Sequence, residues 1–272
     1  MDMRAVMPFY REVGAGPGIV CLHASASHSA QWRLLMERLA PKYRVLAADS
    51  FGAGRSPAWP IDRRVSLRDE VSLLEPVFDR AGERFTLVGH SYGAAIALIA
   101  AVDQPERVRA LALYEPTLFS VLDAHTRPPN DADEFRAVVA ETMVALEAGK
   151  PARAAERFID YWMGSGAWAA IPASRRQAVA TSIVNVEGWF NAVSTEPTLL
   201  EAYAAIDIPV LCMTGTESPA SSRAVAHALA KTLPQLSMIE FEGVGHMGPV
   251  THPEIVNDVI AEFIERGRTT QG

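Results

Sequence analysis

The sequence predicts an α/β fold in which a mainly parallel sheet is covered by helices on both faces. Short apolar runs alternate with segments of helical periodicity, which is the pattern of strand–helix–strand units. One stretch, residues 117–205, interrupts this alternation and has no strand pattern. In the segment 84–100 a short apolar run enters a glycine-bounded turn and then an apolar helix. These observations predict a sheet domain that carries one helical insertion.

Seven apolar runs are predicted to be strands. The first, at 7–13, is expected at the edge of the sheet, and the others lie at 18–24, 43–48, 85–89, 108–114, 209–214 and 236–242. Apolar residues at helical spacing predict helices at 30–39, 66–78, 91–102, 220–233 and 252–264. A helix therefore follows most of the predicted strands.

The interrupting stretch predicts a helical cap inserted after the strand that ends near Tyr114. It is rich in aromatic side chains, among them Phe135, Phe158, Trp162 and Trp189. Aromatic residues at helical spacing are typical of a packed core, so these residues need not all line a pocket. The predicted organisation is a core domain of residues 1–116 and 206–272 and a cap of residues 117–205.

Composition narrows the class of protein. The chain has 272 residues, of which 49% are hydrophobic, and its net charge of −7 argues against a nucleic-acid partner, which needs a basic face. The amino terminus lacks an apolar run of signal-peptide length, and the longest apolar run, 94–102, is too short to cross a bilayer. We therefore expect a soluble, cytoplasmic protein without a membrane partner; the sequence leaves its oligomeric state open.

The two cysteines, Cys21 and Cys212, each lie inside an apolar strand-like run. That placement predicts buried, reduced thiols rather than a disulfide or a metal site. We expect neither a metal nor an organic cofactor.

The turn Gly89-His90-Ser91-Tyr92-Gly93 has the context of a nucleophile elbow. A side chain at either glycine would collide with the neighbouring strand and helix, and the strained turn lifts the serine hydroxyl clear of the sheet. The pentapeptide alone is a weak signal, but its place between a strand and a helix makes Ser91 the candidate nucleophile.

A serine nucleophile needs a base, and the expected chain order places a histidine after it. Four histidines follow Ser91 in the sequence. His246 lies in a glycine-rich loop directly after the last predicted strand, where open α/β sheets bind their ligands. His227 lies within a helical pattern, His252 at a helix start and His125 in the cap, which favours His246 as the base.

Four segments resemble the α/β-hydrolase superfamily: 22–25 with 31–32, 49–56, 89–93 and 245–247. The resemblance spans nearly the whole chain and implies an α/β-hydrolase fold with an inserted helical cap over the nucleophile. It also implies that the backbone amides of Ser25 and Tyr92 form an oxyanion hole, which agrees with the need for two fixed donors. Ala24 departs from the glycine usual in the family, and Asp49 is expected to have a structural part.

The acidic residue that would complete a triad with Ser91 and His246 remains open between two glutamates. The usual acid position after the next-to-last strand holds Ser218 in this chain, with Glu217 one residue earlier. Glu115 directly follows the strand after the elbow helix, where some branches of the family, such as the haloalkane dehalogenases, carry the acid. Either carboxylate could orient the imidazole and stabilise its cation. Glu115 is the preferred candidate; Glu217, or neither, is the alternative.

The residues together predict a serine hydrolase that acts on an ester or similar acyl bond of a small molecule through an acyl-enzyme. The alternatives are a carbon–carbon bond hydrolase or lyase on the same scaffold, or a binding protein that has lost turnover. The identity of the substrate does not follow from residue types.

Overall fold

A seven-stranded sheet forms the centre of the computed structural model, which describes residues 7–60 and 63–269. The strand order is β1-β3-β2-β4-β5-β6-β7; β1 is antiparallel to β3, and the other neighbours are parallel. The strands are β1 Tyr10–Val13, β2 Gly18–Leu22, β3 Arg44–Ala48, β4 Phe85–His90, β5 Val108–Tyr114, β6 Val210–Gly215 and β7 Leu236–Phe241. The predicted α/β class and the predicted edge strand are confirmed.

Helices cover both faces of the sheet. Alternate residues of β2 belong to different apolar clusters: Val20 and Leu22 pack with one, Ile19 and Cys21 with the other. Such alternation follows from the period of two along a strand. The helices outside the insertion are α1 Arg33–Leu39, α2 Leu67–Ala81, α3 Tyr92–Asp103, α11 Ala220–Thr232, α12 Gly248–Thr251 and α13 Pro253–Thr269.

The first predicted strand–helix connection differs from the prediction in its boundaries. Strand β2 ends at Leu22 rather than at 24, because the amide of Ala24 donates to Oε1 of Gln31 (3.2 Å) instead of joining the sheet. The predicted helix 30–39 begins as a 3-10 turn, Ser29–Trp32, before α1 starts at Arg33.

The insertion consists of helices and connecting loops. Residues 117–205 are all described and contain no strand. Phe135 packs against Phe119, Tyr161 and Trp162, with ring centroids 4.7–5.3 Å apart. The helices of the insertion are α4 Phe119–His125, α5 Asp133–Glu147, α6 Pro151–Met163, α7 Ala167–Ala170, α8 Ala173–Ser182, α9 Val186–Ser194 and α10 Leu200–Ala204.

The sheet register brings three loops to one edge. His90 of β4 lies beside Tyr114 of β5, and Tyr114 lies beside Met213 of β6. Because these strands are parallel, the residues that follow them leave the sheet side by side. The site is built from these loops.

Both cysteines are free and fully buried, on β2 and β6. Burial raises the pKa of the Cys212 thiol to about 12 and that of the Cys21 thiol higher still. Within the described ranges, no helix has both the length and the apolar character needed to cross a membrane.

Candidate active site

Ser91 lies on a strained turn between β4 and α3. Its φ of 55° is in the left-handed region, which non-glycine residues seldom adopt. A Cβ at Gly89 would lie 2.5 Å from the Cα of Ala94, and one at Gly93 would lie 2.4 Å from the carbonyl oxygen of Leu22. Both glycines are therefore required by close backbone approach, as the sequence predicted.

A continuous hydrogen-bonded relay joins Ser91, His246 and Glu115. Nε2 of His246 is 3.0 Å from Oγ of Ser91, and Nδ1 is 2.6 Å from Oε2 of Glu115. The three residues are at most 2% exposed. Because an ionised carboxylate only accepts hydrogen bonds, Nδ1 carries the imidazole proton and Nε2 accepts from the serine hydroxyl. This is the tautomer that a general base requires.

Four donors surround the Glu115 carboxylate. Oε1 accepts from the amide of Gly215 (2.8 Å) and the hydroxyl of Ser218 (2.5 Å), and Oε2 accepts from the hydroxyl of Ser222 (2.9 Å) besides His246. Burial acts to raise the pKa of Glu115, but the hydrogen bonds, that of His246 first among them, outweigh it and hold the pKa below its ordinary value. The carboxylate is therefore ionised at neutral pH.

The backbone of Glu115 is also strained, with a φ of 45°. Its amide donates to the carbonyl of Met213 (2.9 Å), which ties the residue to the end of β6. Two of the three relay residues thus hold backbone conformations that only a surrounding fixed structure can maintain.

The alternative acid candidate lies outside the relay. The side chain of Glu217 is exposed and has no hydrogen-bond partner in the described part of the chain, while its amide donates to the carbonyl of Val244 (3.0 Å). The other histidines after Ser91 are also elsewhere: His125 contacts Thr232, and His227 and His252 are exposed.

Two backbone amides stand beside the serine without a partner. The amides of Ser25 and Tyr92 donate to no group among the described residues, and both residues line the same pocket as Ser91. Ala24 does not adopt a left-handed conformation, so its Cβ is accommodated; the positive φ of this loop, 55°, falls on Ala26. Paired free amides next to a nucleophile can stabilise a developing oxyanion.

A chain of hydrogen bonds ties the Ser25 loop to the His246 loop. Oε1 of Gln31 accepts from the amide of Ala24 (3.2 Å), and Nε2 of Gln31 donates to Nδ1 of His90 (3.0 Å). Nε2 of His90 in turn donates to the carbonyl of His246 (2.8 Å). Burial, together with the nearby His246, lowers the pKa of His90 well below its usual value, so the ring stays neutral.

Sequence reasoning assigned His90 no role. Its place in the elbow turn was visible, but its partners come from two distant loops. Gln31 belonged to a segment that carried the family resemblance, which was the available signal for it.

Asp49 stabilises a turn and is not part of the relay. It is buried, and its two oxygens accept from the amides of Ser29 (2.6 Å) and Arg55 (2.9 Å). A structural part matches the expectation from the sequence.

A buried glutamate fixes the side chain of Tyr92. Oε1 of Glu70 accepts from the Tyr92 hydroxyl (3.1 Å), and Oε2 accepts from the amide of Phe51 (3.0 Å). Burial raises the pKa of Glu70 to about 7 despite these hydrogen bonds. No local sequence pattern pointed to this residue.

Helices of the insertion close over the relay. The indole ring of Trp162, on α6, stacks on the imidazole of His246 with centroids 4.1 Å apart and planes inclined by 30°. A narrow pocket of about 20 Å³ beside Ser91 is lined mainly by apolar and aromatic side chains, including Phe119, Phe135 and Trp189. A wider cavity of about 450 Å³ is also lined by Ser91 and Trp162, and His246 adds to its lining.

No group of three or more histidine, cysteine or acidic side chains is positioned to hold a metal ion within residues 7–60 and 63–269. The chemistry that the residues present can support is proton transfer and nucleophilic attack by the serine.

Residues 19–259 match the model of the alpha/beta hydrolase family. The chain is 27% identical to a putative 2-succinyl-6-hydroxy-2,4-cyclohexadiene-1-carboxylate synthase of Bacillus subtilis, over 92% of this chain and 91% of that one. It is 26% identical to the (E)-2-((N-methylformamido)methylene)succinate hydrolase of Acinetobacter baylyi, over 94% and 93%. A thermophilic esterase from Thermogutta terrifontis has a similar fold, with a TM-score of 0.73, 20% identity and coverage of 96% and 93%.

Proposed function

The chain belongs to the α/β hydrolase family, and from that premise we propose that it is a serine hydrolase cleaving an ester or related acyl bond of a small molecule. The observation that carries the proposal is the buried relay, with 3.0 Å between Ser91 and His246 and 2.6 Å between His246 and Glu115. Both are hydrogen-bond distances; the first lets His246 take the serine proton, and the second lets Glu115 hold the imidazole in place.

In the proposed reaction, Nε2 of His246 takes the proton of Ser91 as Oγ attacks the acyl carbon. The amides of Ser25 and Tyr92 donate to the oxygen that becomes negative, and Glu115 stabilises the imidazolium. His246 then returns the proton to the leaving group, which departs and leaves an acyl-enzyme. Water activated by the same imidazole releases the acid and restores the serine.

The shape of the site favours a substrate whose reacting carbonyl has one small and one large substituent. The pocket of about 20 Å³ admits only a small apolar group, whereas the cavity of about 450 Å³ has room for a larger one. We infer that the smaller substituent of the reacting carbonyl enters the aromatic pocket and the larger substituent occupies the cavity.

A carbon–carbon bond hydrolase or lyase is the second candidate. The Bacillus relative is named as a synthase and the Acinetobacter relative as a hydrolase, so relatedness does not choose between the reactions. A binding protein without turnover is opposed by the ordered relay, because a strained serine and acid would have no use in it. The two free amides favour acyl transfer.

Covalent labelling separates an enzyme with a reactive serine from a binding protein. We expect a fluorophosphonate to label the wild-type protein at Ser91, Ser91→Ala to abolish labelling and His246→Ala to slow it strongly. Hydrolysis of 4-nitrophenyl esters from acetate to octanoate should fall about 10³-fold or more in Ser91→Ala. Ser72→Ala, on the exposed face of α2, is the matched control and should behave as wild type.

An acyl adduct on the Ser91 peptide, detected by mass spectrometry with a slowly released ester, would support acyl transfer over the lyase reaction. Retention of labelling or of near-normal ester turnover in Ser91→Ala would overturn the proposal.

A further inference from the structure

The wider cavity beside the relay lies between the Ser25 loop and helix α8 of the insertion. It measures about 450 Å³, and its lining includes Ser91 and His246 of the relay together with Arg175 and Val179 of α8. A recess of about 770 Å³ shares Ser25, Arg175 and Val179 with it. We call the two together the entrance cleft.

Arg175 is the one permanently charged residue among the described residues that line the entrance cleft. No aspartate or glutamate is found among those residues, although the whole chain has a net charge of −7. The remaining ionisable side chains of the cleft are histidines and Tyr92. The cleft therefore presents a positive charge to its contents on a chain that is acidic overall, a contrast that attracts anions.

The guanidinium of Arg175 is not used to hold the fold. It has no side-chain hydrogen bond or ion pair with any described residue. Its neighbour Arg176 donates to the carbonyls of Ile171 (2.8 Å) and Ala169 (2.6 Å). Other arginines of the insertion pair with carboxylates: Arg136, Arg153 and Arg157. Arg175 is thus free to bind a ligand.

The position of Arg175 on α8 adds to the attraction. It is the third residue of this ten-residue helix, and Ser174 beside it also lines the recess. The free amides and the dipole of a helix amino terminus favour a negative group at that end. The Arg175 side chain and the amino terminus of α8 therefore both favour an anionic group.

We propose that Arg175 binds a carboxylate on the larger substituent of the substrate, so that the preferred substrates are acyl compounds bearing a free acid group. The inference rests on the proposed serine hydrolase function. A guanidinium donates two parallel hydrogen bonds to a carboxylate, which adds orientation to the charge attraction. Binding at a point remote from the reacting carbonyl positions that carbonyl over Ser91.

The test compares charged and uncharged substrates of equal length. Monomethyl succinate, glutarate and adipate are each paired with methyl butanoate, pentanoate and hexanoate, and kcat/KM is followed by titration of the released acid. We expect at least one carboxylate ester to exceed its uncharged partner by about tenfold or more, since hydrogen bonds to charged groups have this strength. Added salt should reduce that ratio because Arg175 is exposed.

In Arg175→Gln the ratio of the two kcat/KM values should fall about tenfold or more, and Arg175→Lys should retain part of it. Arg127→Gln is the matched control: Arg127 is also exposed, lies in the insertion outside the cleft and has no side-chain partner among the described residues, so its ratio should match wild type. A preference for the uncharged esters at every length, or an unchanged ratio in Arg175→Gln, would overturn the inference.

A binding measurement keeps this result separate from the catalytic proposal. Calorimetry of glutarate with the Ser91→Ala protein requires no turnover, and the further change Arg175→Gln should weaken binding about tenfold. Equal binding by the two proteins would contradict the role of Arg175. Ester turnover that is insensitive to Ser91→Ala would contradict the hydrolase proposal instead.

Discussion

Replacement of Glu115 by glutamine should reverse the tautomer of His246. The rigid amide of Gly215 donates to Oε1 of Glu115 (2.8 Å), so the glutamine oxygen must take that place. Its NH₂ group then takes the place of Oε2, which is 2.6 Å from Nδ1 of His246. An NH₂ group only donates, so Nδ1 must accept and the imidazole proton moves to Nε2.

A proton on Nε2 prevents His246 from accepting the proton of Ser91. The loss of the correct tautomer and of the partner for the imidazolium costs about 10⁴-fold in kcat in a serine triad. That factor corresponds to about 5 kcal/mol of the activation barrier. We expect kcat of Glu115→Gln for an activated ester to fall by this order, with KM changed by less than about threefold, because the substituted group does not touch the substrate.

The assay is steady-state hydrolysis of a 4-nitrophenyl ester, with fluorophosphonate titration to count active sites and circular dichroism to verify folding. Glu217→Gln is the control, because the exposed Glu217 side chain should change the rate by no more than about twofold.

A Glu115→Gln protein that kept more than about a tenth of the wild-type kcat would show that Glu115 does not set the tautomer of His246, since loss of that tautomer costs about 10⁴-fold. Equal losses in Glu115→Gln and Glu217→Gln would show that Glu115 has no special role.

Three further changes test other contacts. Trp162→Leu removes the ring that stacks on His246 with centroids 4.1 Å apart. Because an aromatic face stabilises the imidazolium, kcat should fall about five- to thirtyfold in Trp162→Leu and by less in Trp162→Phe. Equal kcat values for Trp162→Leu and wild type would contradict this role. Glu70 has a pKa raised to about 7 from 4.5, so the folded state binds more protons between these values, and the free energy of unfolding should fall by about 3 kcal/mol as the pH rises through them. Urea unfolding from pH 4 to 8 should show this fall in wild type but not in Glu70→Gln, and parallel curves would disprove it. Gly93→Ala places a Cβ 2.4 Å from the carbonyl oxygen of Leu22. The free energy of unfolding, measured in urea, should therefore fall by about 3 kcal/mol or more. A fall of less than about 1 kcal/mol would show that the turn can relax.

Features that depend on residues close together in the sequence could be predicted from the sequence alone. The alternation of apolar runs and helical patterns identified the parallel sheet, because burial on both faces requires continuous apolar strands. The glycines around Ser91 identified the strained turn, since its geometry is set within five residues. The absence of a strand pattern located the helical insertion.

The acid could not be chosen from the sequence. Glu115 and Glu217 both follow strands that end at the same edge of the sheet, and a residue pattern does not state which carboxylate turns toward His246. The structure separates them: Ser218 and Ser222 donate to Glu115, whereas Glu217 points to solvent. The serine at the usual acid position is thus a partner of Glu115, a role that appears only when β5 and β6 are paired.

The surroundings of the relay were decided by tertiary structure alone. Trp162 of the insertion stacks on His246, and His90 contacts the His246 carbonyl across 156 positions of the chain. Sequence periodicity reports which face of an element is buried, but it carries no information on which distant element covers that face. Contacts of this kind depend on the packing of the insertion and the loops over the sheet, so their residues were found only once those elements were folded together.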